Sequence, residues 1–560
     1  MPNHERPNAG WLLAACLAVL LCMPGVASGD TASWQLQEQQ QNLRDLQQQQ
    51  RLERWQGKRE PSETSPGPAT VPAHQPCWEI RGVQIAGNHQ LPDTLLADTV
   101  RRSVTACMGP ADIDGLLRAL TGQYVAAGFP ASRPYLAQMP RSGAPLRIGV
   151  VEGFVESIEL AGPELPLSLS SAFPDMLGQP LYLPQLEQGL DQLNRLRAYD
   201  LGADLLPGTL PGATRVVVQP RKVASPWHLD NRFDNRGSDQ TGRHRLTTGL
   251  GLDSPLGLND DLRVSLSRTV FGAPGNSRGL TLYYSIPYGP WTIAMSASRL
   301  RYKAPLPGSH QVADGSSRYH SLSAERVLWR GPRGMLSASA RLDRKQLINR
   351  SAGAVIVQQS PTLATLEAGV NLLWLEQGLW NAYLGVAQGI GAFGADRSPI
   401  GVQRLRPDFR KYRANLLHLR QGPADWPWRW QSEVALQYSD DALPAVEQLL
   451  VSDDTAVRGF RLRTYSGSSS AVWRNTVSQA LPHAFNPALQ IRPYLGVDLG
   501  WARTLPGSSP QRLAGAAAGV ELSLPGSRLR LDYQRALHAS DLPGRRLEPG
   551  FWVLDWALTI

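Results

Sequence analysis

After its first 30 residues the chain has no apolar run long enough to cross a bilayer as a helix, which takes about 20 residues. Mean hydropathy is -0.26, so no bundle of membrane helices is hidden in it. Cysteine is scarce, four in 560 residues, with no C-x-x-C and no histidine pair nearby, so a redox or metal role is not expected. There is no H-E-x-x-H and no phosphate-cradling G-x-x-x-x-G-K-[ST], which removes the common zinc-protease and nucleotide-hydrolysis signatures. Gly275-Asn276-Ser277-Arg278-Gly279 matches G-x-S-x-G, but it leads from a short loop into a strand, whereas a nucleophile elbow needs strand, turn and helix. No catalytic residue and no cofactor are therefore expected. The basic residues behind the net charge of +9 are dispersed through polar-face and loop positions rather than clustered, so nucleic acid is not an expected partner.

What is present begins with an apolar segment, Trp11 to Val26, preceded by Arg6 and followed by the small residues Ala27, Ser28 and Gly29. It reads as a secretory signal peptide over residues 1–29. Residues 30–60 are rich in glutamine, with Trp34, Leu36, Leu43, Leu46, Leu52 and Trp55 compatible with a weakly amphipathic helix. Either a solvated helix or an unstructured tail fits that pattern. Five prolines between Pro61 and Pro76 make residues 61–76 an extended linker.

From Cys77 the composition becomes that of a folded α/β module. Trp78 to Ile85 alternates as a strand, helical patterns follow near Pro92–Val104 and Pro110–Ala127, and Tyr135–Gln138 and Leu146–Val151 read as strands. The order is β-α-α-β-β over residues 77–152. A second copy occupies residues 153–225, with a strand at Val155–Leu160, a helix near Leu183–Leu196 and a closing strand at Thr214–Gln219. Cys77 and Cys107, the pair left after the signal peptide, form the default disulfide of an exported protein. Closing that loop contributes about 3.5 kcal/mol on the chain-entropy model.

Residues 226–560 carry about sixteen runs of period two. Leu280, Leu282, Tyr284 and Ile286 oppose Thr281, Tyr283 and Ser285; Trp428, Trp430, Val434, Leu436 and Tyr438 oppose Arg429, Gln431, Glu433 and Gln437. Periodicity alone does not separate a soluble sandwich, apolar inside, from a membrane barrel, apolar outside. Connection lengths favour the barrel, because short links such as Pro287–Pro290, Arg330–Gly334, Leu375–Gly378 and Pro525–Gly526 alternate with long ones at Tyr302–Ser316, Leu347–Thr362, Ile390–Arg410 and Ser439–Ser470. The last of these is then the sixth external loop. Trp291, Trp374, Trp380, Trp428 and Trp430 near the ends of runs suit an interfacial girdle.

The sixth loop contains Val457-Arg458-Gly459-Phe460, and a later strand contains Gly496-Val497-Asp498-Leu499-Gly500, with Asp498 on its polar face between two glycines that clear space around the carboxylate. This pair of motifs resembles the signature of polypeptide-transporting outer-membrane barrels with POTRA domains. The resemblance implies that the loop folds back into the lumen and that Arg458 pairs with Asp498. With the two β-α-α-β-β modules and a leading helix, the whole chain resembles the transporters of two-partner secretion, of the haemolysin and haemagglutinin exporting kind. The fold expected is two periplasmic α+β POTRA domains followed by a sixteen-stranded antiparallel outer-membrane barrel, with residues 30–60 as a plug. The function implied is export of an unfolded haemolysin-, adhesin- or haemagglutinin-like exoprotein, drawing on its folding outside. Expected partners are that exoprotein, outer-membrane lipid and the barrel-assembly machinery, and the transporter is expected to be a monomer. The terminal run Phe551–Ile560 resembles the strand such machinery reads, though it ends in Ile560 rather than phenylalanine. An assembly or insertion factor, or a plain diffusion porin, stays open as an alternative.

Overall fold

The computed structural model describes residues 77–560 except 273–274, 306–310, 424, 483–485, 487 and 543–545, together with Ser33, Leu36, Gln37 and Gln40. The signal peptide, the linker and most of the glutamine-rich segment lie outside the described residues.

The first module is β1 (Val83–Ala86), α1 (Asp93–Ser103), α2 (Pro110–Ala126), β2 (Arg133–Leu136) and β3 (Leu146–Val151), with β1 parallel and β2 antiparallel to the central β3. Proline at the first helical position and the Asp112 carboxylate accepting from Gly109 N at 2.8 Å start α2. Ile113, Leu116, Leu120 and Tyr124 then fall on one face and close the core with Leu146, Ile148 and Val150. The run from Trp78 to Ile85, expected as one strand, is two. Gly82, at φ +149°, interrupts it. Trp78–Glu79 pairs instead with Cys107–Met108, where a disulfide joins Cys77 to Cys107 with Cα atoms 5.4 Å apart.

The second module is β4 (Phe154–Leu160), α3 (Leu169–Ala172), α4 (Leu183–Leu193), β5 (Tyr199–Pro207) and β6 (Ala213–Val223), with β6 central. Its middle, unreadable as sequence, is the single turn α3, capped by Ser168, whose hydroxyl accepts from Ser171 N at 3.1 Å. The module is seated on the barrel. Ser171 Oγ donates to Pro287 O at 2.8 Å, Gln192 Nε2 to Gly289 O at 3.0 Å, and Arg330 pairs with Asp191 at 2.6 Å.

Sixteen antiparallel strands close the barrel. They are β7 (Trp227–Asp234), β8 (Arg245–Asp253), β9 (Asp261–Thr269), β10 (Asn276–Tyr288), β11 (Trp291–Pro305), β12 (Val312–Gly331), β13 (Gly334–Ser351) and β14 (Thr362–Leu375). The second half is β15 (Leu379–Gly389), β16 (Arg410–Gln421), β17 (Trp428–Tyr438), β18 (Ser469–Gln479), β19 (Gln490–Arg503), β20 (Gln511–Leu524), β21 (Ser527–Ala539) and β22 (Phe551–Thr559), which pairs with β7 to complete the ring. Closure leaves no unpaired edge. The faces are those of a membrane barrel and not of a sandwich. On β19, Leu495 is 67% exposed on the outside, while Asp498 is fully buried on the inside. Inward residues form charged networks such as Glu367 with Arg341 at 2.7 Å and Arg413 at 3.2 Å. The connection expected over Tyr302–Ser316 is mostly wall, since β11 runs to Pro305 and β12 starts at Val312. Ser277 of the G-x-S-x-G string lies in β10, paired with Tyr302 across the sheet, so no nucleophile elbow exists there.

One sequence expectation needs correcting. The basic residues do not all stay dispersed, because strand register gathers Arg268, Arg278, Arg299, Arg301 and Arg318 from four strands onto one patch of the outer wall.

Candidate functional site

Residues 439–468 form the sixth external connection, between β17 and β18. Instead of standing in solvent it turns into the barrel, where Val451, Ala456, Val457, Phe460 and Tyr465 pack against Val472, Ala502, Leu513, Ala536 and Ala539. Phe460 meets Tyr465 edge-on at 5.7 Å. Burying this apolar patch draws the loop inward and carries Arg458 with it.

Arg458 is 1% exposed and Asp498 0%. The guanidinium grips the carboxylate with two parallel bonds, Nε to Oδ2 at 2.6 Å and Nη2 to Oδ1 at 2.6 Å, and Arg458 N adds a third to Oδ2 at 3.0 Å. Nη2 also reaches Asn475 O at 3.2 Å and Thr476 Oγ1 at 3.3 Å. Each glycine named from the sequence leaves room for a specific neighbour. A Cβ on Gly496 would collide with the Arg458 guanidinium, and one on Gly500 with Val451 and Val457. Gly459 sits at φ +96° against the backbone of Arg535, a conformation and an approach that both favour glycine. The structure thus brings Val457, Arg458, Gly459, Phe460, Gly496, Asp498 and Gly500 into one place. Cys77 and Cys107 stand apart, in the first module.

Sequence reasoning missed further contributors, among them Gly515, Glu548 and Glu447. Gly515 on β20 admits the Arg458 carbonyl, which would occupy the space of a Cβ. Its signal was legible in the small-residue run Ala514-Gly515-Ala516-Ala517-Ala518-Gly519 beside the aspartate strand. Glu548, in the last connection, accepts from the backbone N of Arg461, Leu462 and Arg463 at 2.7, 2.8 and 2.8 Å, fixing the limb after the arginine. Glu447, in the limb before it, is 1% exposed and pairs with Lys345 of β13 at 2.8 Å and Lys411 of β16 at 2.7 Å. Burial pushes the Glu447 carboxyl up, but the two ammonium groups overcome this and hold it down at about 2. Its signal was a lone carboxylate in the apolar stretch Ala445 to Val451. The loop is therefore fastened to the inner wall at β13 and β16 by Glu447, at β19 by Arg458 and at β21, where Gln534 donates to Asp454 and accepts from Gly459 N.

Of the N-terminal segment, Ser33, Leu36, Gln37 and Gln40 lie on one buried helical face. Leu36 packs in a cluster with Leu300, Tyr302, Tyr319, Leu363, Ile400 and Val446. Gln37 Nε2 donates to Ala445 O at 2.7 Å and Gln448 O at 2.8 Å, the residues to either side of Val446 and Glu447.

The chain is similar to known secretion and transporter proteins. The family model described as haemolysin secretion/activation protein ShlB/FhaC/HecB matches residues 212–522, a ShlB-type POTRA domain matches 78–153, and a further POTRA domain matches 154–207. Hemolysin transporter protein HpmB of Proteus mirabilis is 32% identical over 520 residues, spanning 90% of this chain and 87% of that protein. Hemolysin transporter protein ShlB of Serratia marcescens is 34% identical over 487 residues, 84% of this chain and 83% of that protein. Among solved structures, CdiB from Escherichia coli superposes with a TM-score of 0.84 at 25% identity, covering 96% of this chain and 100% of that one.

Proposed function

The chain belongs to the haemolysin secretion/activation family ShlB/FhaC/HecB, and from that membership we infer that it is an outer-membrane pore of two-partner secretion, exporting a secreted exoprotein. The barrel lies in the outer membrane and the two POTRA modules face the periplasm. The observation that carries this reading is the combination of those modules with a closed barrel whose sixth loop is folded inward beside Asp498. A plain diffusion porin needs neither.

The Arg458–Asp498 contact is assigned as the lock that sets the loop in the lumen, and residues 30–60 as a plug. Supporting the second role is the burial of Leu36 and the grip of Gln37 on the loop backbone. The exoprotein is taken to be unfolded and of the haemolysin, adhesin or haemagglutinin class. It is bound first by the POTRA modules, whose three-stranded sheets end at β1 and β2 in the first and at β4 and β5 in the second, edges suited to strand addition beyond the stretch of β4 where Val155 already pairs with Gly178 and Gln179. The transporter itself works as a monomer without chemistry of its own.

The test is removal of residues 77–152 in a strain that secretes the cognate exoprotein. Secretion is expected to stop while the barrel still inserts and keeps heat-modifiable mobility. Normal secretion by the truncated protein refutes recognition through the first module. Loss of other outer-membrane barrels on depletion of the full chain supports the assembly-factor alternative instead.

A further inference from the structure

On the outer wall, β9 to β12 carry five arginines at the end where the strands leave for the external loops. Register sets them against each other: Arg268 is opposite Arg278, Arg278 opposite Arg301, and Arg299 opposite Arg318. Like charges directly across a sheet destabilise it. Among the described residues, none of the five forms an ion pair or donates a side-chain hydrogen bond, and the carboxylate on the same face of β12, Asp314, is engaged at 3.5 Å by Arg350. Such a cluster lacks an anion.

Its height and its neighbours identify the kind of anion. Trp291 marks the periplasmic end of β11, and at about 3.3 Å per residue on a strand tilted by about 40° the ten residues to Arg301 climb about 25 Å, the height of the apolar band. Arg301, with Arg278 and Arg268 in register beside it, therefore stands where the outer leaflet's headgroups begin, and Arg299 and Arg318 lie about 5 Å deeper, within reach of their long side chains. Across the barrel the same rim carries the stacked pair Tyr412 and Tyr438, centroids 6.5 Å apart, which is the usual aromatic girdle. On the arginine side there is instead a groove of about 560 Å³ lined by Arg268, Arg278, Arg299 and Arg301 together with Leu246, Leu266 and Leu280, Leu246 lying opposite Arg268 and Leu280 opposite Arg299. Guanidinium groups set beside apolar side chains match a molecule that carries both phosphates and acyl chains.

We propose that this face binds a phosphorylated, multiply acylated glycolipid of the outer leaflet, its phosphates held by Arg268, Arg278, Arg299, Arg301 and Arg318 and its chains laid along Leu246, Leu266 and Leu280. The site uses the outer-membrane location but not the export activity. It fixes the rotational setting and depth of the barrel beside β9 to β12.

Binding of fluorescent bisphosphorylated lipid A to the full-length protein in maltoside micelles tests the site without any reading of secretion. The triple variant R278Q/R299Q/R301Q is expected to bind at least about tenfold more weakly, whereas R512Q, an exposed arginine on β20 across the barrel, stays within about twofold of wild type. Removing both phosphates from the lipid is expected to weaken wild-type binding as much as the triple variant does, and inorganic phosphate at equal concentration is expected not to compete. Heat-modifiable mobility shows that each barrel is folded; if the triple variant does not fold, Arg299→Gln and Arg301→Gln are read singly, each about threefold weaker. Equal binding by wild type and a folded variant, or binding indifferent to the lipid's phosphates, overturns the proposal. Full competition by inorganic phosphate overturns the lipid assignment in favour of a simple anion site.

Discussion

At the scale of single residues, the inner face of the barrel holds buried charge pairs, Arg458 with Asp498 and Glu447 with Lys345 and Lys411. Stranding one partner of a desolvated pair costs about 3–5 kcal/mol, because the other charge is left buried without its counter-ion. Arg458→Ala and Asp498→Ala are each expected to impair secretion without preventing insertion, and the double variant to lose little more than either single one. Arg458→Lys is expected to rescue poorly, since an ammonium does not reproduce the two-pronged grip. Additive losses in a double-mutant cycle of secretion rates would show that the residues act separately. Glu447 gives a different readout, because its carboxyl is held at about 2 by Lys345 and Lys411 against the opposing effect of burial. With the folded value below the unfolded one, its stabilisation is complete above the ordinary glutamate range near 4.3 and is lost as pH falls towards 2. The unfolding temperature of wild type should thus approach that of Glu447→Gln between about pH 4.5 and 2, after lying well above it at pH 7. Parallel curves across that window would remove Glu447 from the loop's anchorage.

Among elements, loop 6 joins the barrel wall to the N-terminal segment. Glu447 fastens its first limb to β13 and β16, Arg458 its middle to β19, and Glu548 its last limb to the connection before β22. Gln37 binds the backbone on both sides of Val446 and Glu447, so the segment carrying Leu36 and Gln37 touches the limb that Glu447 holds. Deleting residues 30–60 is accordingly expected to raise single-channel conductance in planar bilayers. The substitution Gln37→Ala is expected to raise the frequency of openings without changing the open conductance, since it loosens the contact and leaves the segment present. Channels indistinguishable from wild type after the deletion would show that the segment does not obstruct the pore. Conductance is the appropriate measure because it reads the lumen alone, independent of exoprotein recognition by the modules below.

For the molecule as a whole, the division between sequence and structure follows the range over which each interaction acts. Alternation such as Leu280-Thr281-Leu282-Tyr283, fixed by the two-residue repeat of a strand, determined sixteen wall segments; the contrast of short and long connections determined their direction and put Arg458 in the sixth external loop. The glycines about Asp498 disclosed a close approach because missing side chains can be read directly. Local patterns were silent wherever the outcome depended on what lies opposite. Trp78 to Ile85 alternates like one strand, yet Gly82 and the competing partner at Cys107–Met108 split it. Glu447 is an ordinary glutamate until β13 and β16, about 100 and 36 positions away, each bring a lysine to it. The five outer arginines look scattered along 51 positions from Arg268 to Arg318, and only strand register, set by hydrogen bonds between segments, aligns them into one patch. The sequence by itself determined which residues of a strand share a face, because that depends on a residue's own neighbours. Tertiary structure alone decided which charges meet, because that depends on closing the ring.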